Sequence, residues 1–337
     1  MPANLSPDYK AAEANFRKAR DPQERLDWLR EMLRVIPKHK GTDHLQGDIK
    51  SKIRQLSEEL EAHKKGGTRS GPSIVTHPEG AAQLALIGPP NSGKSSLHAR
   101  LTGSNAHAAP YPFTTQFPEP GMMPYQDIHF QLVDLPAISP EHPVAWIADA
   151  VQTADGCLLV VDLSDADCVD QVRALHQVLA ARHVTLSEHW APDEEAPDTE
   201  TDVFRVRLST LLVDNKCDRE TEPEEDLEVF RELTGLRHPA LAVSAATGHG
   251  LGELGAFLFR NLRIVRVYTK TPGHAVDRQR PFTLRQGQTI EHVARLVHKD
   301  LVNTLRYARV WGKSGFDGQH VGRDHRVEDG DVIELHS

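Results

Sequence analysis

Hydrophobic positions at helical spacing mark the first sixty residues. Leucines and isoleucines recur at steps of three and four residues between residues 26 and 36, and again between residues 45 and 60. Pro37 and the polar run 39–43 separate the two stripes. The pattern predicts an N-terminal helical hairpin over residues 1–66, followed by a flexible linker. The stripes could pack on each other, on the next domain or on a partner.

Short apolar runs begin near residue 80 and alternate with helix-like segments. Runs that are apolar throughout are typical of strands covered on both faces, as in a parallel sheet. The alternation predicts a doubly wound α/β domain over residues 80–263, interrupted by an acidic loop near 188–202. Strands are predicted at 84–87, 128–133, 157–161, 210–213 and 241–243. Helices are predicted near 94–102, 143–153, 168–182, 223–234 and 251–262.

The pattern changes again after residue 263. Four short strand-like runs surround one helical stretch, which predicts a small α+β module over residues 264–337. The strands are predicted at 264–268, 281–284, 307–311 and 332–335, and the helix at 290–300.

Composition narrows the class of protein. No run approaches eighteen apolar residues, and the N-terminus lacks a basic stretch followed by an apolar one, so neither a membrane span nor a secretory signal is expected. The three cysteines are odd in number and lack C-x-x-C spacing, which disfavours a disulfide framework or a zinc site. We expect a cytoplasmic protein.

Charge is unevenly distributed along the chain. Residues 1–80 and 264–337 each carry a net charge of about +3, whereas the middle carries about -15, within a total of -9. Basic ends around an acidic centre fit a protein whose ends approach nucleic acid. An ordinary charged surface explains the same numbers equally well.

The motif G-x-x-x-x-G-K-S at residues 88–95 follows a predicted strand and precedes a predicted helix. Glycines let the main chain curl around an anion, so that backbone N–H groups converge on a phosphate chain. Lys94 would lie against the β- and γ-phosphates, and the Ser95 hydroxyl would bind Mg²⁺. The predicted phosphate site consists of Gly88, Pro89, Pro90, Asn91, Ser92, Gly93, Lys94, Ser95, Ser96, Asp134 and Ala137.

Two further residues are candidate Mg²⁺ ligands. Asp134 ends a predicted strand one hairpin after the phosphate loop, where a carboxylate can hold Mg²⁺ through water. Thr115 closes the run Tyr-Pro-Phe-Thr-Thr at 111–115, and its hydroxyl would be the second Mg²⁺ ligand in a loop that senses the γ-phosphate. A threonine-rich surface loop is the equal alternative.

The motif N-K-x-D follows the strand predicted at 210–213. The Asp218 carboxylate could accept hydrogen bonds from both N1–H and the exocyclic amine of guanine, a donor pair that adenine lacks. Asn215 would brace neighbouring loops, and Lys216 would lie along the base. Ser244 and Ala245 follow the last strand of the domain, where a backbone N–H would meet guanine O6. The order of these motifs predicts GTP rather than ATP.

With these motifs the chain resembles the Obg-related P-loop GTPases, and within them the developmentally regulated GTP-binding (DRG) branch. The similar stretches in the first two parts of the chain are 33–45, 111–115, 148–155 and 160–162. The stretches 265–270, 307–312, 321–325 and 328–333 are similar to a TGS domain, a β-grasp module. The resemblance implies that Thr115 and Lys94 act in catalysis and that the TGS module approaches RNA or the ribosome.

The chain departs from the DRG pattern at three places. The family motif D-x-P-G ends here in Ala137, and alanine tolerates fewer backbone angles than the glycine whose N–H meets the γ-phosphate. The second switch is shortened to about 138–143, and the acidic loop replaces a larger inserted domain. Switching would then be stiffer, or hydrolysis slower.

The residue after Ala137 is Ile138, so no glutamine stands where Ras-like enzymes orient the attacking water. The resemblance implies slow hydrolysis that depends on a partner or on K⁺. Asn91 is the candidate K⁺ ligand, and a turn-forming asparagine is the equal alternative.

These patterns predict a GTP-binding protein that hydrolyses GTP slowly with Mg²⁺, is stimulated by K⁺, and acts as a ribosome- or RNA-associated switch. The alternative is a non-catalytic GTP-dependent adaptor in which Ala137 impairs switching. A nucleoside kinase or ATPase is disfavoured by the N-K-x-D motif. Expected partners are GTP or GDP, the ribosome or RNA and a stabilising protein, without membrane or DNA. The RNA-contact candidates are Lys299, Arg306, Arg309 and Lys313.

Overall fold

The computed structural model describes most of the chain, with gaps between the ranges that follow. These ranges are 6–19, 22–37, 42–64, 76–104, 115, 117–141, 144, 146–190, 205–220, 222–298 and 300–337. The chain divides into two compact units, one of residues 1–77 and 195–205, the other of residues 78–194 and 206–337. The predicted linker, the first four residues of the 111–115 run, most of the acidic loop and Lys299 lie outside the described residues.

The described part of the N-terminal unit is helical. Its helices are α1 (Pro7–Lys18), α2 (Pro22–Val35) and α3 (Asp43–Lys64). The two predicted stripes lie on α2 and α3, where Leu29, Ile36 and Ile49 are buried in one cluster with Tyr9 of α1. The stripes therefore pack on each other. The hydrophobic pattern predicted two helical arms, whereas the described residues form three helices, because the sequence pattern did not distinguish α1 from α2.

The α/β domain is built on a seven-stranded sheet. Its elements are β1 (Gln83–Ile87), α4 (Lys94–Thr102), β2 (Glu119–Tyr125), β3 (Ile128–Asp134), α5 (Ile147–Val151), β4 (Gly156–Val161), α6 (Cys168–Ala181), β5 (Val184–Ser187), β6 (Val206–Asn215), a 3₁₀ turn (Cys217–Arg219), α7 (Pro223–Thr234), β7 (Ala240–Val243) and α8 (Leu251–Asn261). The strand order is β2-β3-β1-β4-β6, and both β5 and β7 pair with β6. All pairs are parallel except β2–β3.

The parallel order brings the carboxyl ends of β1, β3, β4 and β6 to one edge of the sheet, where α/β proteins bind their ligands. The five predicted strands are confirmed. β4 is buried along its whole length, as its continuous apolar sequence predicts. β5 was not predicted, because its four residues alternate between buried and half-buried positions and are too few for a clear pattern.

The C-terminal module has a five-stranded mixed sheet. Its elements are β8 (Ile264–Thr269), β9 (Asp277–Arg285), α9 (Ile290–Val297), α10 (Leu301–Thr304), β10 (Tyr307–Gly312), β11 (Gly315–Val321) and β12 (Asp331–His336). The strand order is β11-β10-β12-β8-β9, and β12 and β8 are the parallel pair. Ile290 and Val293 of α9 are buried in the module's core. A helix packed on such a sheet is the predicted β-grasp arrangement. The polar β11 was not predicted.

Arg266 of β8 connects this module to the α/β domain. Its guanidinium donates to both carboxylate oxygens of Asp329, at 2.9 and 2.8 Å, and to Asp127 in the β2–β3 turn at 2.9 Å. The Tyr268 hydroxyl donates to the other oxygen of Asp127 at 2.5 Å. Two side chains of β8 thus hold the turn between β2 and β3.

No helix within the described ranges has both the length and the apolar character that crossing a bilayer requires.

Candidate functional site

The phosphate loop joins β1 to α4 at the carboxyl edge of the sheet. Asn91 and Gly93 have the left-handed backbone angles φ 62° and 86°, which let the loop reverse direction before the helix. A Cβ at Gly88 would lie 2.2 Å from the carbonyl oxygen of Val160. The glycine is therefore required where the loop passes against β4.

Lys94 is buried at the first position of α4. Its ammonium donates to the carbonyl oxygen of Pro89 at 3.1 Å. Burial lowers the pKa of Lys94 to about 8, and the charge of Asp134 opposes that effect. Among the described residues the ammonium's one hydrogen-bond acceptor is this Pro89 carbonyl oxygen. Because burying a cation is costly, a phosphate group would stabilise the ammonium by placing a negative charge in direct contact with it.

Three side-chain oxygens converge beside Lys94. The Ser95 hydroxyl donates to Oδ2 of Asp134 at 2.6 Å, the Thr115 hydroxyl donates to the same oxygen at 3.2 Å, and the two hydroxyl oxygens lie 3.2 Å apart. Oδ1 of Asp134 is buried without a hydrogen-bond partner in the described part of the chain. The three predicted Mg²⁺ ligands Ser95, Thr115 and Asp134, called the trio below, therefore lie together, and Oδ1 of Asp134 is the oxygen without a partner among the described residues.

This trio fits Mg²⁺, which prefers small sets of oxygen ligands completed by water and phosphate. Across the described ranges, no group of three or more His, Cys, Asp or Glu side chains could hold a metal ion. Ser95, Thr115 and Asp134 are therefore a suitable protein contribution to an ion shared with a nucleotide.

The segment after Asp134 is packed into the domain. Leu135 and Ile138 are fully buried, and Ala137 is 8% exposed. The Ile138 N–H donates to the carbonyl oxygen of Gly88 at 3.3 Å, which ties the segment to the phosphate loop. Ala137, where the chain departs from D-x-P-G, thus lies in a segment that is buried in the domain and hydrogen bonded to the phosphate loop.

Asn215 links two loops at the end of β6. Its amide nitrogen donates to the Ser92 carbonyl oxygen at 2.9 Å, and its amide oxygen accepts from the Ala245 N–H at 3.1 Å. A Cβ on Gly93 would lie 2.3 Å from the same amide nitrogen, so a glycine is needed there too. The bracing role predicted for Asn215 has its geometric counterpart in these contacts.

The other guanine-motif residues lie around the same loop. Lys216 has a left-handed φ of 72°, and its ammonium donates to the Asn91 carbonyl oxygen at 2.7 Å. Asp218 is exposed, as an acceptor for a bound base must be, and Ser244 is fully buried. Asp162, the residue directly after β4, forms an ion pair of 2.5 Å with Lys216. The sequence analysis did not predict that Asp162 pairs with Lys216. Its position directly after an apolar strand was the available signal.

The RNA-contact candidates belong to the C-terminal module, and Arg306, Arg309 and Lys313 are among the described residues. Arg306 and Lys313 are exposed, and Arg309 donates to a ring nitrogen of His320 at 3.1 Å. Among the described residues, no hydrogen bond or ion pair joins Arg306, Arg309 and Lys313 to one another.

Comparisons with known proteins agree with this organisation. Residues 83–188 match the family model of the 50S ribosome-binding GTPases, and residues 265–337 match that of the TGS domain. An uncharacterized GTP-binding protein of Methanocaldococcus jannaschii is 28% identical over 93% of this chain and 92% of its own length. Developmentally-regulated GTP-binding protein 2 of Mus musculus is 26% identical over 93% of this chain and 98% of its own.

A solved structure extends the comparison to the fold. The YchF GTPase of Schizosaccharomyces pombe superposes with a TM-score of 0.54, covering 78% of this chain and 100% of its own, at 13% identity. At that identity the similarity shows the fold: a P-loop GTPase domain with a mostly parallel sheet and a C-terminal β-grasp domain.

Proposed function

We infer that this chain, a GTP-binding homologue of the developmentally regulated GTP-binding proteins with a GTPase and a TGS domain, is a slow GTP-hydrolysing switch that works on the ribosome or another RNA partner. The observation that carries the proposal is the convergence of Ser95, Thr115 and Asp134 beside the buried Lys94, with Asn215 bracing the same loop.

In this proposal the loop N–H groups and Lys94 hold the phosphates, while Asp218 reads the guanine edge. Ser95, Thr115 and Asp134 would hold Mg²⁺, which when bound would neutralise charge on the phosphate oxygens. Lys94 is a buried cation in a water-poor site, so its attraction for charge that develops on the γ-phosphate is weakly screened.

Slow hydrolysis follows from the residue after Ala137. Ile138 is apolar and buried, so its side chain offers neither a donor nor an acceptor to an attacking water. A partner or a cation would then have to supply the missing contact. We expect single-turnover GTP hydrolysis by the isolated protein to be slow and to accelerate when ribosomes are added.

The second candidate function, a GTP-dependent adaptor without turnover, is favoured by one observation. The segment 135–138 is buried and joined to the phosphate loop, which would oppose a switching movement. Single-turnover assays on the natural chain and on Ala137→Gly separate the two functions. Turnover that ribosomes stimulate supports the switch, whereas its absence under every condition, with GTP binding retained, supports the adaptor.

Stimulation by K⁺ is a further part of the proposal. Asn91 is exposed and its backbone is in the left-handed region, a geometry that equally suits a turn-forming asparagine. We expect faster hydrolysis in K⁺ than in Na⁺ at equal ionic strength, and loss of the difference in Asn91→Ala. Equal rates in both salts would leave Asn91 as a turn residue.

Association with the ribosome is supported by the name of the matching family model and by the TGS match. We expect the protein to co-sediment with ribosomal subunits more strongly with a GTP analogue than with GDP. Replacement of Arg306, Arg309 and Lys313 by glutamine should weaken this binding and reduce its salt dependence, because each phosphate contact releases counterions. The matched control is Arg295→Gln on α9. Unchanged binding in the triple variant would remove these residues from the interface.

A further inference from the structure

Two carboxyl groups with enclosed oxygens flank the proposed guanine motif, and of the two residues Asp214 is buried and Glu220 half-buried. Asp214 directly precedes Asn215 on β6 and is 1% exposed, and Glu220 follows the 3₁₀ turn that contains Asp218. Oδ1 of Asp214 accepts the Leu163 N–H at 3.4 Å. Oδ2 of Asp214 and both carboxylate oxygens of Glu220 are enclosed, with no donor among the residues that the structure describes.

Within the described ranges, no cationic side chain hydrogen bonds to the pair. The nearby ammonium of Lys216 is held by Asp162 at 2.5 Å and by a carbonyl oxygen. The groups that face the pair from the surrounding elements are Asp162 at the end of β4, Cys168 at the start of α6, Lys216, Cys217 and Asp218 in the loop, and Asp226 on α7. Lys216 is already paired with Asp162, and the other groups in this set are thiols or carboxyl groups, so none of them supplies a positive charge to the pair.

The enclosed oxygens are explained if the two carboxyl groups contact each other. A pair of ionised carboxylates has only acceptors, whereas one shared proton turns one member into a donor for the other. Burial, followed by the charge of Glu220, raises the pKa of Asp214 to about 8, and burial also raises the pKa of Glu220. At neutral pH the pair therefore carries a proton.

We propose that Asp214 and Glu220 share one proton that keeps the guanine loop closed, so that guanine nucleotide binds the protonated pair and its binding weakens as the pair ionises. The proposal rests on the guanine-binding role given above to residues 215–218. Asp214 is held by β4 and β7, which pair with β6 on either side. Glu220 lies outside the sheet, so repulsion would displace it toward solvent and move Asp218, two residues away.

In this arrangement Asp214 and Glu220 are positioning residues, because they act on the nucleotide through the loop. Their effect should appear as a proton-linked change in affinity rather than as a loss of the phosphate contacts. A purely structural role would lower the affinity by the same factor at every pH.

The test measures the dissociation constant of a fluorescent GDP analogue between pH 6.5 and 9 for the natural chain, Asp214→Asn and Glu220→Gln. Between pH 7 and pH 9 we expect the dissociation constant of the natural chain to rise about tenfold more than that of either variant, since one proton is linked to binding. Glu224→Gln, which removes an exposed acid of α7, is the matched control and should follow the natural chain. Titration of guanine itself is common to all four proteins and cancels in the ratios.

Parallel pH profiles in the natural chain and the two variants would overturn the shared proton while leaving the guanine site intact. Absence of GDP binding by all four proteins at every pH would instead overturn the guanine site, and the proton linkage with it. If Asp214→Asn fails to fold, as judged by circular dichroism, Glu220→Gln carries the comparison, because its side chain lies outside the sheet.

Discussion

The buried Lys94 should destabilise the nucleotide-free protein, so its replacement by methionine should raise stability while abolishing nucleotide binding. Methionine keeps the length of the side chain and removes the ammonium. The pKa of Lys94 is lowered from its ordinary value of 10.5 to about 8 by burial. Since each pKa unit corresponds to about 1.4 kcal/mol, charging this side chain costs the folded state about 3 kcal/mol at pH 7. That figure is an upper limit to the gain from Lys94→Met.

The pH dependence has a definite sign. The unfolded chain binds the proton more tightly than the folded one, so the cost is complete below pH 8 and disappears as the pH rises toward 10.5. The free energy of unfolding of the natural chain, relative to Lys94→Met, should therefore increase across that window. Added GTP and Mg²⁺ should stabilise the natural chain and leave Lys94→Met unchanged.

Urea unfolding of nucleotide-free protein measures these quantities. Trp190 is a suitable reporter, because it packs against Phe257 in the core of the α/β domain with ring centroids 5.2 Å apart. The other three tryptophans would be replaced by phenylalanine, so that the signal comes from this domain alone. Lys50→Met, at an exposed position of α3, is the control for loss of a lysine. Equal stability of Lys94→Met and the natural chain at pH 7, or a difference independent of pH, would show that the buried charge of Lys94 does not destabilise the nucleotide-free protein.

Three further outcomes follow from the contacts of the site and of Arg266. Asp218→Asn should weaken GDP binding about a hundredfold or more, because an amide cannot accept from both guanine donors, and competition by ATP should stay negligible; unchanged GDP affinity would exclude Asp218 from base recognition. Asn215→Ala should speed GDP dissociation about tenfold or more in stopped-flow measurements, since it removes the link between the loops that contain Ser92 and Ala245. Asn261→Ala on α8 is the control and should leave the rate unchanged. Arg266→Ala should lower the stability of the TGS module by about 2 kcal/mol, because two carboxylates lose their shared cation; a double-mutant cycle with Asp127→Asn that shows no coupling would contradict the direct contact.

Much of the fold could be predicted because its patterns are local. A strand covered on both faces must be apolar throughout, as β4 is, and a phosphate loop needs glycine where the backbone passes too close for a side chain, as Gly88 does. The helical stripes of α2 and α3 likewise follow from burying one helix face. Strands β2, β5 and β11 were not predicted. β2 contains two prolines and a glycine, the alternation of β5 spans only four residues, and β11 is polar.

The order of the phosphate, aspartate and N-K-x-D motifs along the chain was sufficient to predict which nucleotide chemistry to expect. Which distant residues come into contact became visible only in the folded chain. Ser95 meets Asp134 because β1 and β3 are neighbours, and Lys216 meets Asp162 because β4 and β6 are neighbours. The pair of Asp214 and Glu220 has no sequence signature, since the cost of an ionised carboxylate depends on what surrounds it. Burial and contact are properties of the folded chain, and they set the pKa values on which this site depends.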